Sequence, residues 1–307
     1  MTPISNHLGR LFRNNGFILA LALVIGLSFG QGASFTRGTV TPGLAVIMTL
    51  SLMGVSSTIF SDFRKLLVPT LLAVLLNYVV LSGAFVGLAS LIIRDYELWI
   101  GFVLVAAVPP AVAVIPFSYH LGGNVNYSLV GSVAAHLMAF VMAPLICSVF
   151  LGSNVLQPQQ LLISLAELIA APFVISRILR LTRIASWLEK YRGTIVNWGF
   201  FLVIYTIIGL NRGAFLEQPD ALLGLSIVAF ACTFVISYVI NRIAKVLGAA
   251  RPSRISLAVL GAWKNYGLAG AIALTFFSSR AAMPAAVSTA FAILNFIWLT
   301  FWTKKSG

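Results

Sequence analysis

The chain has 307 residues, of which 60% are hydrophobic and only 9% are charged. A water-soluble domain usually carries about 25% charged residues, so the composition excludes one and indicates an integral membrane protein made of helices. In a soluble protein a formal net charge of +13 would suggest a nucleic-acid partner. The positions of the basic residues along this chain indicate a role in membrane topology instead.

Apolar stretches long enough to cross a bilayer recur along the chain, since about 20 apolar residues in a helix span the hydrocarbon core. Ten spans are predicted, at residues 16–32, 41–60, 67–93, 98–121, 126–150, 159–181, 194–211, 220–243, 254–277 and 283–303. With a cytoplasmic N-terminus, fifteen of the 20 Lys and Arg residues lie in cytoplasmic segments and four lie outside. This bias predicts a multi-pass protein of the inner (plasma) membrane with both termini in the cytoplasm, and no nucleic-acid partner.

Two polar features mark the spans of the first half. Span three carries an amide, Asn77, which is either an interhelical hydrogen-bonding group or a ligand. Span four contains Pro109 and Pro110 in sequence at mid-depth. Each proline removes a backbone hydrogen bond at a cost of about 3 kcal/mol, so the pair predicts a broken helix rather than a kink. Such a break is tolerated in a membrane only where it is buried in protein or lines a cavity.

Polar side chains in spans five and six are the candidates for moving protons. Ser128, Ser132 and His136 are spaced four residues apart and predict one polar stripe on one face of span five. Span six contains Glu167, the only acidic residue placed inside the membrane. His136 and Glu167 are therefore the candidates for a proton relay.

The most unusual stretch is the middle of span nine, Trp263-Lys264-Asn265-Tyr266-Gly267. Lys264 lies about ten residues from either end, too deep for its side chain to reach water easily. A charge at that depth costs at least about 2.5–3.5 kcal/mol. Other groups must therefore compensate the Lys264 ammonium.

The order of these features predicts two halves, residues 1–155 and 156–307, with five spans each. An odd number of spans per half places the halves in opposite orientations across the membrane, as inverted repeats. Each half has its interrupted span in fourth position, at Pro109-Pro110 and at 263–267. Paired interruptions of this kind indicate a transporter binding site near the midplane.

The sequence resembles the bile acid:sodium symporter family over nearly its whole length. The resemblance is carried by Met53-Gly54 with Asp62-Phe63, the proline-broken span four, Gly123-Asn124 leading to Ser128, Pro144-Leu145 and Asn265-Tyr266-Gly267-Leu268-Ala269. It implies ten helices, with spans 1, 2, 6 and 7 as a panel domain and the others as a core domain in which spans four and nine cross. It also implies an organic anion carried between the domains, with Asn265, Asn295 and the break at Pro110, Ala111 and Val112 as substrate-binding residues.

The positions that hold sodium in the family depart from its pattern. A glutamate and a glutamine of span nine are replaced by Leu260 and Lys264, and a Ser-Asn pair after the break is replaced by Val114-Ile115. The span-three glutamine is Asn77, and only Ser128 and Ser132 keep hydroxyls. A sodium ion needs several oxygen ligands, preferably with a carboxylate among them. These substitutions therefore predict transport without sodium.

The leading hypothesis is a secondary carrier of a small organic anion in which Lys264 occupies the place of sodium. Its ammonium is expected to donate to Ser128, Ser132, Asn77 or the carbonyls freed by the break in span four. Lys264 either holds the crossing together permanently, as in a uniporter or exchanger, or releases its proton during the cycle, because burial favours neutral lysine. The alternatives are an auxin-efflux-like or arsenite-efflux carrier, or a membrane sensor that does not transport. The sequence shows no hydrolase constellation, so no enzyme activity is expected, and neither a cofactor nor a metal site is predicted.

Overall fold

The computed structural model describes residues 15–54, 63–152, 155–217 and 219–305, and within these ranges the regular structure is helical apart from one isolated backbone bridge. The longer helices are numbered here in chain order. They are α1 (Asn15–Ser28), α2 (Val40–Met53), α3 (63–92), α4 (Tyr96–Ala107), α5 (Val114–His120), α6 (Val125–Leu151), α7 (Pro158–Arg180), α8 (Ala185–Leu210), α9 (Arg212–Glu217), α10 (Pro219–Val246), α11 (Arg251–Leu260), α12 (Tyr266–Phe276) and α13 (Ser279–Lys305). Short helical turns at Gly30–Gly32, Ala33–Thr36 and Arg37–Thr39 connect α1 to α2.

Long apolar helices dominate the described ranges. Six of them are long and apolar enough to cross a membrane: α3, α6, α7, α8, α10 and α13. The segments Phe17–Ser28 and Gly30–Met53 meet at an angle of 89° and count as a seventh span if taken together. The prediction of an all-helical protein with multiple apolar helices is confirmed.

The largest differences between helix ends and the predicted spans occur in two places. The second predicted span extends to residue 60, whereas α2 ends at Met53 and residues 55–62 lie outside the described part of the chain. The seventh was predicted to begin at residue 194, but α8 begins at Ala185. The added turns contain Glu189, Lys190 and Arg192, and an apolar window cannot detect a helix that carries charges.

Three of the long helices contain a π-helical segment: Leu75–Leu81 in α3, Ala166–Ala170 in α7 and Ala231–Val235 in α10. A π turn inserts one residue into the helix, and such turns are frequent at functional sites. The first contains Asn77 and the third contains the buried Cys232. In α3 and α10 the side chains of the π segment therefore point in directions that differ from those in a regular α-helix.

Two groups of helices pack most extensively among themselves. In one, α8 packs against α1 and α2, and α7 packs against α2. In the other, α4 packs against α3, α6, α12 and α13, and α13 also packs against α10 and α12. Asp95 connects the ends of two helices in the second group, because it caps α4 and pairs with Arg280 of α13 at 2.9 Å.

Gly101 allows α4 and α13 to approach closely. A Cβ atom at this position would lie 2.2 Å from the Ala281 carbonyl oxygen and 2.7 Å from Pro284 Cγ. We expect Gly101→Ala to destabilise the protein by about 2 kcal/mol, because overpacking forces helices apart. Gly83→Ala is the control, since a Cβ there meets nothing within 4 Å. Apparent melting temperatures in detergent test the difference, and equal values for the two variants would contradict it.

Candidate functional site

The two interrupted stretches meet each other in the structure. α4 ends at Ala107 and α5 begins at Val114, while α11 ends at Leu260 and α12 begins at Tyr266. Between these helices the Asn265 backbone N–H donates a 2.8 Å hydrogen bond to the Pro109 carbonyl. Pro110 and Lys264 form an isolated antiparallel bridge. Both breaks are therefore buried in protein and satisfy each other in part, as helix interruptions inside a membrane require.

The Lys264 ammonium is completely buried at this crossing. Its Nζ lies 2.8 Å from Asn77 Oδ1 and 2.9 Å from Ser82 Oγ. It also lies 2.8 Å from the Ala106 carbonyl oxygen and 3.0 Å from the Val108 carbonyl oxygen. Four oxygens therefore surround the ammonium, and none of them belongs to a carboxylate.

The prolines explain why two of these oxygens are available. In an unbroken helix the Ala106 carbonyl would accept a hydrogen bond from the residue four positions later, which is Pro110 and has no N–H. The Val108 carbonyl lies beyond the end of α4. Both carbonyls are thus free to accept from Lys264, so the break in span four compensates for the charge in span nine.

Residues of α3 complete the surroundings of the ammonium. The Ser82 hydroxyl donates to the Ala106 carbonyl at 2.6 Å and lies 3.0 Å from the Asn77 backbone carbonyl. In this orientation the lone pairs of the Ser82 oxygen face Lys264. The Tyr78 ring centroid lies 4.7 Å from Nζ, within range of a cation–π interaction. Asn77 and Tyr78 both lie in the π segment Leu75–Leu81. The wider turn brings neighbouring side chains to the same charge.

Asn77 and the carbonyls of the break are therefore among the ammonium's partners, whereas the other candidates, Ser128 and Ser132, are not. The Ser128 hydroxyl lies 2.6 Å from that of Ser118. The Ser132 carbonyl accepts from His136 Nδ1 at 2.6 Å. Ser82 was not predicted. It lies one helical turn beyond Asn77 and looks in the sequence like an ordinary small packing residue.

The two asparagines expected near substrate have structural partners. Asn265 caps α12 by accepting from the Leu268 amide at 3.1 Å, and its side chain lines two small cavities at the crossing. Asn295 is completely buried and accepts from the Trp263 indole at 3.0 Å. Asn265 is thus partly accessible, while Asn295 is buried and holds the Trp263 side chain beside the crossing.

His136 and Glu167 lie apart from the crossing. His136 is buried on α6 beside a separate apolar cavity. Glu167 is on the exposed face of α7 and is not among the groups that contact Lys264. The structure does not bring the two relay candidates together with Lys264 in one hydrogen-bonded chain.

Apolar side chains fill three of the positions where the family resemblance implies sodium ligands. Leu260 and Val114 are fully buried, and Ile115 is partly buried. Leu260 Cδ1 packs so closely on α6 that a Cβ at Gly131 would lie 3.1 Å from it. These three side chains offer no oxygen to a cation.

A cavity of about 520 Å³ lies beside the crossing, between α1, α2 and α8 on one side and α5 and α6 on the other. Its wall is mostly apolar and includes Val112, Ala113, Leu129 and Phe200. Arg192 of α8 is the cationic side chain in its lining, and it also pairs with Glu189 at 3.0 Å. In the sequence Arg192 is one of the fifteen basic residues assigned to cytoplasmic segments. It lines this cavity because α8 begins at Ala185, before the predicted start of span seven.

Free backbone N–H groups lie where this cavity reaches the break. Within the described residues, no hydrogen bond from the N–H groups of Val112 or Ala113 is found. Val112 and Ala113 line the large cavity, and Ala111 lines the smaller cavities next to Asn265. Successive unpaired N–H groups carry a partial positive charge and favour an anion.

Sequence comparison with known proteins shows the family of the chain. The chain matches the Sodium Bile acid symporter family over residues 41–216. The protein belongs to the Sodium Bile acid symporter family. It is also 24% identical over 311 residues to the "Uncharacterized sodium-dependent transporter YocS" of Bacillus subtilis (strain 168), covering 98% of this chain and 94% of that protein. The family resemblance predicted from the sequence is confirmed, and the chain is a multi-pass membrane protein of a transporter family.

Proposed function

We propose that the protein is a secondary transporter of a small organic anion that works without sodium. The observation that carries the proposal is the buried Lys264 ammonium, which takes four oxygen contacts at the crossing of the two interrupted spans. A fixed cation there supplies the positive charge that would otherwise be bound anew in each cycle. The transport is then uniport or exchange, or it is coupled to protons if Lys264 titrates.

The anion is proposed to bind in the 520 Å³ cavity. The size matches typical small-molecule sites, which are mostly apolar with a few placed polar groups. Arg192 supplies a cation on one side, and the N–H groups of Val112 and Ala113 supply donors on the other. This combination suits a carboxylate or sulfonate with an apolar body, and Asn265 lies close enough to take part at the crossing.

The proposed architecture has ten spans in two inverted repeats, residues 1–155 and 156–307. Two pairs of irregularities support it. The fourth and ninth predicted spans are both interrupted, and the third and eighth both contain a π segment. The helix group of α1, α2, α7 and α8 corresponds to the panel, and the other group to the core. With both termini in the cytoplasm of the plasma membrane, the large cavity opens inwards.

Arg192→Gln tests the anion site. We expect about a tenfold higher KM for uptake of a labelled organic anion into proteoliposomes, because a hydrogen bond to a charged group contributes about 1.5–3 kcal/mol before losses to exposure. Lys190→Gln removes a charge from the same helix, at an exposed position outside the cavity lining, and should leave KM unchanged. A panel of labelled carboxylates and sulfonates identifies the substrate. Equal KM values for the two variants would show that Arg192 does not contribute to anion binding.

A further inference from the structure

A second cavity, of about 150 Å³, lies between α2, α6 and α7 next to the break. Its lining is almost entirely apolar and includes Met48, Leu52, Phe140 and Ile169. Val112 and Ile115 line both this cavity and the larger one, so they form the wall between the two. The cavity is therefore a separate space, and its polar content comes from His136 and Ser132.

The two ring nitrogens of His136 have different surroundings. Nδ1 lies 2.6 Å from the Ser132 carbonyl oxygen on the preceding turn of α6. A carbonyl can only accept, so Nδ1 carries the proton. Nε2 is buried and has no hydrogen-bond partner among the described residues, and the side chain as a whole is only 5% exposed. A polar atom left in this state is costly, and one partner would offset the cost.

The chemistry of the missing partner follows from the tautomer. Burying an unpaired charge in an apolar site is expensive, so the imidazole is neutral. With the proton on Nδ1, Nε2 is an acceptor and needs an O–H or N–H donor. A single water satisfies the site poorly, because a buried water needs two to four polar partners. Besides His136 the polar residue in the lining is Ser132, whose carbonyl already accepts from Nδ1.

The size and access of the cavity restrict the donor further. A cavity of about 150 Å³ is the size that holds one benzene ring. Leu137 and Val174 lie at its lining and are 66% and 55% exposed on the surface of apolar helices. The opening therefore faces the hydrocarbon region, and a ligand that dissolves in the bilayer can reach it.

We propose that this cavity binds a single-ring phenol, or a hydroxyl compound of equal size, with its O–H donating to His136 Nε2. The ring fills the apolar space and the hydroxyl satisfies the buried nitrogen. The site is distinct from the proposed anion site, so the proposal stands whether or not the transported anion is identified.

Fluorine NMR on the full-length protein in nanodiscs tests the site, with 4-fluorophenol and fluorobenzene as probes and protein-free nanodiscs as the partitioning reference. We expect 4-fluorophenol to bind about fivefold more tightly than fluorobenzene, since one net hydrogen bond distinguishes them. His136→Leu keeps the volume and removes the acceptor, so the preference should vanish. His120→Leu removes a histidine from the lining of the other cavity and should retain the preference.

Two further measurements keep the test decisive if His136→Leu does not fold. Ala170→Leu fills the cavity while leaving His136 in place, and it should abolish binding of both probes. In the unaltered protein, nitrogen NMR of the three histidines should show one Nε2 signal moving with 4-fluorophenol and not with fluorobenzene. Equal affinity for the two probes, binding that survives Ala170→Leu, or three unmoved histidine signals would each overturn the proposal.

Discussion

Lys264→Ala is expected to abolish transport and to destabilise the protein by about 3 kcal/mol. Removing the side chain leaves Asn77 Oδ1 and the Val108 carbonyl without their donor, at about 1–3 kcal/mol each, while Ala106 keeps its hydrogen bond from Ser82. The lost packing of the stem adds about 2 kcal/mol or more. Relief of the buried charge returns about 2.5–3.5 kcal/mol on the insertion scale, so on that scale the losses exceed the gain.

The comparison with Lys264→Gln separates structure from coupling. The amide can still donate to the same oxygens, so part of the lost stability should return, although glutamine is one atom shorter and cannot titrate. If the glutamine variant transports fully at every pH, Lys264 is a fixed structural cation. If transport requires a titratable residue and follows a pH gradient, protons pass through Lys264.

The measurements are apparent melting temperature and anion uptake into proteoliposomes across a range of pH values. Lys245→Ala is the matched control, because Lys245 is an exposed lysine near the end of α10 and should affect neither quantity. Full activity and unchanged stability in Lys264→Ala would reject both the structural and the proton-coupled role.

Replacing sodium by potassium or choline is expected to leave anion uptake and thermal stability unchanged. Lys264 occupies one of the positions where the family resemblance implies a sodium ligand, and Leu260, Val114 and Ile115 occupy others without offering oxygen. A sodium ion about 4 Å from the ammonium would also be repelled by about 4 kcal/mol at an effective dielectric constant near 20. The same reconstituted vesicles, with a sodium-dependent member of the family as positive control, provide the measurement. A sodium-dependent rise in anion affinity or melting temperature would contradict the proposal.

The sequence by itself determined the membrane class, the family and the two positions where helices break. The small number of charged residues and the length of the apolar stretches identify membrane helices without knowledge of the packing, because every span must match the apolar interior and the thickness of the bilayer. Pro109 and Pro110 break span four by local chemistry, since a proline lacks the donor that its helix needs. The depth of Lys264 in an apolar stretch likewise showed that oxygens must surround it.

Only the tertiary structure decided which oxygens those are. Asn77 and Ser82 lie 187 and 182 positions away from Lys264 in the chain, and a π segment turns Asn77 and Tyr78 towards the charge. Propensity does not predict such a turn, because packing stabilises it. The sequence shows Arg192 as a basic residue and His136 as part of a polar stripe on span five. The cavities that these two side chains line lie between helices that are distant in the sequence. Spacing along one helix determines which side chains share a face, whereas the space opposite that face is set by the helix that packs there.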